Sequence, residues 1–300
     1  MIGVAASLPN DVVVQRHGAW KRFVKHRLAV VSGVLLILIS LVAIFAPWLS
    51  PADPNAIDQV HWNGFPLAPG VGNHLLGTDE NGRDVLARLI FGSRISLTVG
   101  VVAVLMEILI GTLLGAIAGY YGGWIDYLIM RLTDVFLCIP LLPLLLVLTA
   151  IVSASSNKAA LGFGVIVVII GGLSWPPIAR LVRASFLSLR EKEFVEAARA
   201  VGNPDGRIIF RHLLPNAVAP IIVQATLDVA GVIITESALS FLGLGIQPPT
   251  ASWGNMLADA QENLQIAPWV AIFPGLCILF TVLSINYIGD GLRDALDPKM

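Results

Sequence analysis

This chain predicts an all-helical membrane fold with six crossings, and three observations carry the prediction. Of its 300 residues 56% are hydrophobic and only 13% charged, with a mean hydropathy of +0.80. A soluble globular chain carries about 25% charged residues, so this one lacks the means to coat a water-facing surface. Its apolar residues also gather into six runs of about 20, the length an α-helix needs to cross hydrocarbon with every backbone group bonded internally. Lys and Arg, finally, fall unevenly between those runs, as they do where one side of a membrane is cytoplasmic.

The six runs are Leu28–Trp48, Ile95–Gly119, Tyr127–Ile151, Leu161–Ala179, Ala217–Leu239 and Pro268–Ile288. The first follows Lys21, Arg22, Lys25 and Arg27 and so resembles a secretory signal. It is longer than an apolar signal core of roughly 7–15 residues, and no small-x-small cleavage site follows it. It reads as a retained span. The fourth run is the shortest and is interrupted by Gly171-Gly172 and Trp175-Pro176-Pro177.

With the N-terminus inside, 15 of the 19 Lys and Arg fall on the cytoplasmic side, among them Arg16, Arg131, Arg180, Arg183 and Lys299. Only Arg83, Arg88, Arg94 and Lys158 fall outside. Both termini are expected in the cytoplasm. The chain divides into a cytoplasmic segment 1–27, a first span 28–48, an outer loop 49–94, a five-helix core 95–290 and a tail 291–300.

The outer loop is rich in Pro, Gly, Asn and Asp, with one short helix leading to Phe91; Thr78 or Asp79 is placed to cap it. The second outer connection, Leu242–Ala267, contains no Lys or Arg. Gly111, Gly115 and Gly119 recur every four residues, which lets helix backbones approach closely. Arg131 and Asp134, three apart, read as a local ion pair.

Several classes are disfavoured. The net charge of −1 gives no basic excess for nucleic acid. Cys138 and Cys277 sit inside apolar runs and read as small core residues, with no disulfide or metal role assigned. No G-x-x-x-x-G-K-[ST], H-E-x-x-H or G-x-S-x-G pattern occurs, so no nucleotide or hydrolytic chemistry is expected on this chain.

The most informative stretch lies in the cytoplasmic loop 181–216, at EFVEAARAVGNPDGRIIFRHLLPN, Glu193 to Asn216. Glu193–Val201 holds Ala197, Ala198 and Ala200 among Glu and Arg and favours helix. Gly202 stands where a helix end needs positive φ, and Asn203-Pro204-Asp205-Gly206 is a turn signal. A second helix over about Arg207–Leu214 is expected to stop at Pro215. A helix–turn–helix held between two spans suits docking, with the small Ala197 and Ala198 admitting a partner's surface and Glu196 offering a carboxylate. Its plainer readings are a solvated connector or a DNA-reading pair, and an anionic membrane surface disfavours the latter.

Glu196-Ala197-Ala198, Gly202 and Leu214-Pro215 resemble the EAA signature of binding-protein-dependent ABC importer permeases. His212 stands where many members carry an aliphatic residue, but RHLLPN is similar to the peptide-transporting branch. The segments His74–Gly100 and Thr235–Leu257 resemble the C-type subunit of dipeptide and oligopeptide permeases, so the likeness covers most of the chain from His74 onward.

The resemblance implies a type I ABC importer permease fold in a bacterial or archaeal inner membrane. It implies as partners a homologous second permease subunit, two ATP-binding subunits carrying ATP and magnesium, and an extracytoplasmic peptide-binding protein. Glu196, Ala197, Ala198, Gly202, His212 and Pro215 would form the coupling segment to the ATPase. Nickel or another small solute is the alternative cargo. The outer Gly77–Asp84 motif would be a docking element for the binding protein if it is not merely a cap.

Three acids fall within spans. Glu107 and Asp228 sit mid-span, where a charge costs at least about 2.5–3.5 kcal/mol unless it faces protein or water. Each reads either as a lining of a translocation path or as a bonded packing residue. Glu236, nearer the outer end, joins them as a path candidate or as an interfacial group. A proton relay through Glu107 and Asp228 in an ion-coupled carrier is the rival from another class, and a transport-inactive scaffold is a third.

Overall fold

The computed structural model describes residues 21–154 and 162–296. Arg16, Lys158, Lys299 and the start of the fourth run at Leu161 lie outside them. Among the described residues four helices are long and apolar enough to cross a membrane, and counting each of two bent helix pairs as one span brings the candidate crossings to six.

Helix α1 (Arg27–Ile44) ends at Phe45, and a four-residue helix α2 (Ala46–Leu49) follows with Pro47 in its first turn. Helix α3 (Val85–Tyr121) has 37 residues, starting ten before the apolar run. At 1.5 Å per residue it spans about 55 Å against a hydrocarbon thickness of about 30 Å, so its first turns stand in the outer region. The short outer helix expected near Phe91 is therefore the beginning of this span. Its cap is Asp84, whose Oδ1 accepts from the Ala87 N–H at 2.7 Å. Thr78 instead accepts from Leu67 N–H, and Asp79 accepts from Asn81 and Arg83 within a turn.

The third run is not one straight helix. It forms α4 (Gly123–Cys138) and α5 (Leu141–Ala154), bent by 84°. Pro140 lacks the N–H that would continue the ladder, and Ile139 before it is extended, as a residue preceding proline tends to be. The fourth run breaks likewise into α6 (Phe163–Leu173) and α7 (Pro176–Leu189), bent by 42° at Ser174-Trp175. Helix α7 continues beyond Ala179, so the cytoplasmic loop expected from residue 181 begins as the end of a membrane helix.

After α7 come α8 (Glu193–Ala200) and α9 (Asp205–Arg207), then a π-helical segment Ile208–Leu213. That segment runs straight into α10 (Leu214–Phe241). Pro215 does not stop the second helix; it lies in the first turn of α10, where a missing N–H is tolerated, and the wider π turn precedes it. Helix α11 (Trp253–Asp259) stands in the outer connection, and α12 (Trp269–Leu296) completes the crossings.

The glycine row on α3 is the track for α7. A Cβ at Gly111 would lie 2.7 Å from Ile178, one at Gly119 2.6 Å from Phe186, and one at Gly115 would strike the Ala179 carbonyl. Only glycine admits the α7 backbone at this distance.

The outer loop is folded by charge. Arg83 bridges Asp79 at 2.7 Å and Asp259 of α11 at 3.0 Å, and Arg88 is buried beside the same two carboxylates. His74 joins Asp84 (2.6 Å) to Asp58 (3.1 Å). Burial opposes protonation of His74, yet the two carboxylates outweigh it and hold its pKa above the ordinary value.

Candidate functional site: a cytoplasmic elbow and a mid-membrane cavity

Two places bring the sequence candidates together, joined by a single helix. The first is the elbow formed by α8, α9 and the π segment. The amphipathic pattern of α8 divides it into two faces. Val195 and Ala198 are buried in a cluster with Ile178, Val182 and Phe186 of α7, Ala116 and Tyr120 of α3, and Ile208 and Leu213. Glu196 and Ala197 are exposed, beside the exposed apolar side chains of Phe194 and Val201.

The two alanines therefore part company. Ala198 was expected to face a partner and instead faces the elbow's own core, at 7% exposure. Only Ala197 is free for close approach.

The turn after α8 is closed by a specific set of bonds. Gly202 has φ +82°, its N–H donates to the Arg199 carbonyl, and the Asn203 N–H donates to the Ala198 carbonyl. This pairing with a left-handed glycine caps the helix end. His212 is half-buried in the π segment, and its carbonyl accepts from Asn216 Nδ2 at 2.7 Å; Pro215 is exposed.

The elbow is tied to the membrane helices by groups that the motif does not include. The Tyr120 hydroxyl donates to Asp205 at 2.6 Å, and the Arg199 guanidinium lies 5.6 Å from the Tyr120 ring centroid. Arg190 donates to the Gly119 carbonyl at 3.2 Å. Sequence reasoning missed Tyr120, Arg190 and Asp205, because their partners lie 71 to 85 residues away.

The second place is an open cavity of about 360 Å³ between α3, α10 and the two helix breaks. Glu107 of α3 and Asp228 of α10 both line it. Asp228 accepts from Gln224 at 2.9 Å, while its second oxygen is buried without a hydrogen bond. The remaining walls include Ile139 and Pro140 from the α4–α5 break and Ser174, Pro176 and Pro177 from the α6–α7 break. Both interrupted helices thus break at one cavity, and irregular backbone within a membrane is tolerated where it borders such a space.

Glu236 is not part of this lining. It is fully buried nearer the outer end, bonded by Ser240 at 2.7 Å and facing Ser96 at 3.5 Å. The interfacial reading is corrected: Glu236 is a bonded core group, since an exposure of zero leaves it no water. The local pair of Arg131 and Asp134 is present at 3.8 Å, and the same carboxylate is shared: Arg180 of α7 donates to Asp134 at hydrogen-bond distance. Among the described residues no group of His, Cys, Asp and Glu is arranged to hold a metal ion.

Long apolar helices, two bent helix pairs that break at one cavity, and a structured elbow between α7 and α10 are the architecture of a membrane permease. The comparisons agree. The family described as the binding-protein-dependent transport system inner membrane component matches residues 111–300, and the N-terminal transmembrane domain of oligopeptide transport permease C matches residues 15–69.

A dipeptide transport system permease protein of Alkalihalophilus pseudofirmus is 46% identical over 282 residues, covering 94% of this chain and 89% of that protein. A glutathione transport system permease protein of Pectobacterium atrosepticum is 43% identical, covering 94% and 90%. The solved inward-facing structure of the MetNI methionine ABC transporter shares the fold, with a TM-score of 0.58 at 19% identity over 71% of this chain and 98% of the matched one. The chain belongs to the binding-protein-dependent transport permeases, in the oligopeptide permease C branch.

Proposed function

We propose that this chain is one of two homologous membrane subunits of an ATP-driven importer of dipeptides or oligopeptides. Of two ATP-binding subunits, which hold the ATP and magnesium, one docks on the elbow of this chain through Glu196, Ala197, Phe194 and Val201. An extracytoplasmic binding protein delivers the peptide to the outer face. Both termini lie in the cytoplasm of a bacterial or archaeal cell, the side on which the Lys and Arg gather.

One observation carries the reading. The exposed face of α8 is followed back through α7 to the cavity that contains Glu107 and Asp228, so a push on the elbow has a helical path to the middle of the membrane. ATP binding shifts the permease between its states only through differential contact, and the elbow supplies it. The cavity is the path's polar waist, where a peptide's ammonium group would meet two carboxyl groups.

The peptide cargo is supported by the names of the relatives and by RHLLPN and the two other matching segments; a nickel cargo has no such support. Reconstituted with its partner subunits in liposomes, the chain is expected to take up a labelled dipeptide only with ATP, and to continue after the proton gradient is collapsed. Uptake that stops with the gradient and ignores ATP identifies an ion-coupled carrier using Glu107 and Asp228 instead. A complex that moves no solute at all marks a scaffold.

A further inference from the structure

Helix α4 is held to the bundle in an unusual way. It has one buried residue, Thr133, and its apolar side chains Leu128, Leu132 and Val135 are exposed. Among the described residues no apolar core cluster includes α4 or joins it to α7, the helix that runs from the cavity to the elbow. What joins them is charge. Asp126 takes the Arg183 guanidinium on both oxygens, Nη2 to Oδ2 at 2.6 Å, and two turns along Asp134 takes Arg180. Near the α4–α5 break, Phe136 meets the edge of Trp175 with ring centroids 5.5 Å apart.

The contrast with α3 matters. Helix α7 lies in the glycine track of α3, close enough that a Cβ at Gly111, Gly115 or Gly119 would strike it. Against α4 it has two ion pairs spaced 8 residues apart on α4 and 3 on α7, running antiparallel. A forked Arg–carboxylate contact fixes relative orientation as well as distance. Both helices end at the same cavity, α4 at Leu137 and Ile139 and α7 at Pro176 and Pro177. If α4 moved independently of α7, a displacement of the elbow would shift only one wall of that cavity.

We propose that the pairs Arg183–Asp126 and Arg180–Asp134 are the transmission that makes α4 follow α7, so that both walls of the cavity move together when the ATPase acts on the elbow. Asp126 and Asp134 are positioning residues for transport. The inference rests on the docking reading above and goes beyond it by naming how the motion reaches the path. Because pairs that keep access to solvent contribute little to stability, removing them leaves the fold and changes the linkage.

The test uses the complete transporter in liposomes. Asp126→Asn with Asp134→Asn is expected to retain ATPase assembly and ATP hydrolysis, while peptide taken up per ATP falls at least about fivefold, the lower end of coupling between linked sites. Exchanging the charges, Asp126→Arg with Arg183→Asp, is expected to restore at least half of the loss caused by Asp126→Asn alone. A second measurement is independent of those variants: spin labels at the exposed Leu128 and Ala184, in a chain lacking Cys138 and Cys277, keep one separation with and without ATP.

Full uptake per ATP in the neutralised variant overturns the inference, as does a label separation that changes with ATP in the otherwise unaltered chain. An exchanged variant that assembles but stays uncoupled also overturns it. If the ATPase fails to bind even the unaltered chain, the docking reading falls, and this inference with it.

Discussion

The Ala198 carbonyl oxygen accepts two hydrogen bonds from Asn203, one from its backbone N–H at 3.2 Å and one from Nδ2 at 3.1 Å. These bonds fold the end of α8 back on itself and leave the opposite face, with Ala197, exposed. The elbow is thus a self-contained unit with its own small core. Substitutions on its two faces should behave differently.

Ala197→Arg should leave the elbow folded and prevent co-purification of the ATP-binding subunits, because it adds bulk to the exposed face. Ala198→Arg should instead open the elbow itself, since overpacking a core costs about 1–3 kcal/mol before any charge is buried. Limited proteolysis separates them: rapid cleavage between residues 193 and 213 is expected for Ala198→Arg and not for Ala197→Arg. Equal cleavage in both variants would refute the two-faced reading.

Gly202→Ala is expected to weaken the turn by about 1–2 kcal/mol, the cost of placing a Cβ in left-handed backbone. Space plays no part, because nothing lies within 4 Å of the added carbon. Amide exchange at Gly202 and Asn203, whose N–H groups close the turn, should accelerate about tenfold or more, as 1.4 kcal/mol corresponds to a factor of ten. Unchanged protection at both amides would show that the left-handed turn carries no such cost.

The glycine track gives a paired test. Gly115→Ala pushes a methyl into the Ala179 backbone carbonyl, which no rotamer change relieves; α3 and α7 must separate, and the melting temperature in detergent should fall. Gly231→Ala on α10 meets nothing within 4 Å and gains helix propensity of up to about 1 kcal/mol. Its melting temperature should hold or rise.

The outer loop should show a pH window. His74, raised by Asp84 and Asp58 against the pull of burial, contributes stability that is fully present below its ordinary 6.5 and is lost as pH climbs through the raised value. Asp58 is depressed first by the backbone N–H groups of His61 and Val60, then by the His61 and His74 side chains. Its contribution is present above the ordinary 3.8 and is lost as pH falls through the depressed value. Amide protection over residues 58–84, corrected for intrinsic rates, should be greatest between those limits. His74→Gln should remove the alkaline decline, and a decline that persists in that variant assigns it to another group.

Glu236→Ala should destabilise the outer end of α10 by about 1–3 kcal/mol, the cost of leaving buried partners unsatisfied, with the Ser240 hydroxyl losing its acceptor. Uptake should fall in proportion to the folded protein recovered. A loss of uptake beyond that proportion would return Glu236 to the path.

By itself, the sequence determined the solvent, the number of crossings and the elbow. Hydropathy is additive along the chain, and a helix end such as Gly202-Asn203 is written within six residues of itself. Only the tertiary structure decided that Tyr127–Ile151 is bent at Pro140, that Ala198 faces inward, and that Arg180 shares Asp134 with the nearer Arg131. It also decided that Glu107 and Asp228, 121 residues apart, share one cavity while Glu236 does not. Those outcomes depend on which helix lies beside which, a matter of packing between distant segments that no local period records.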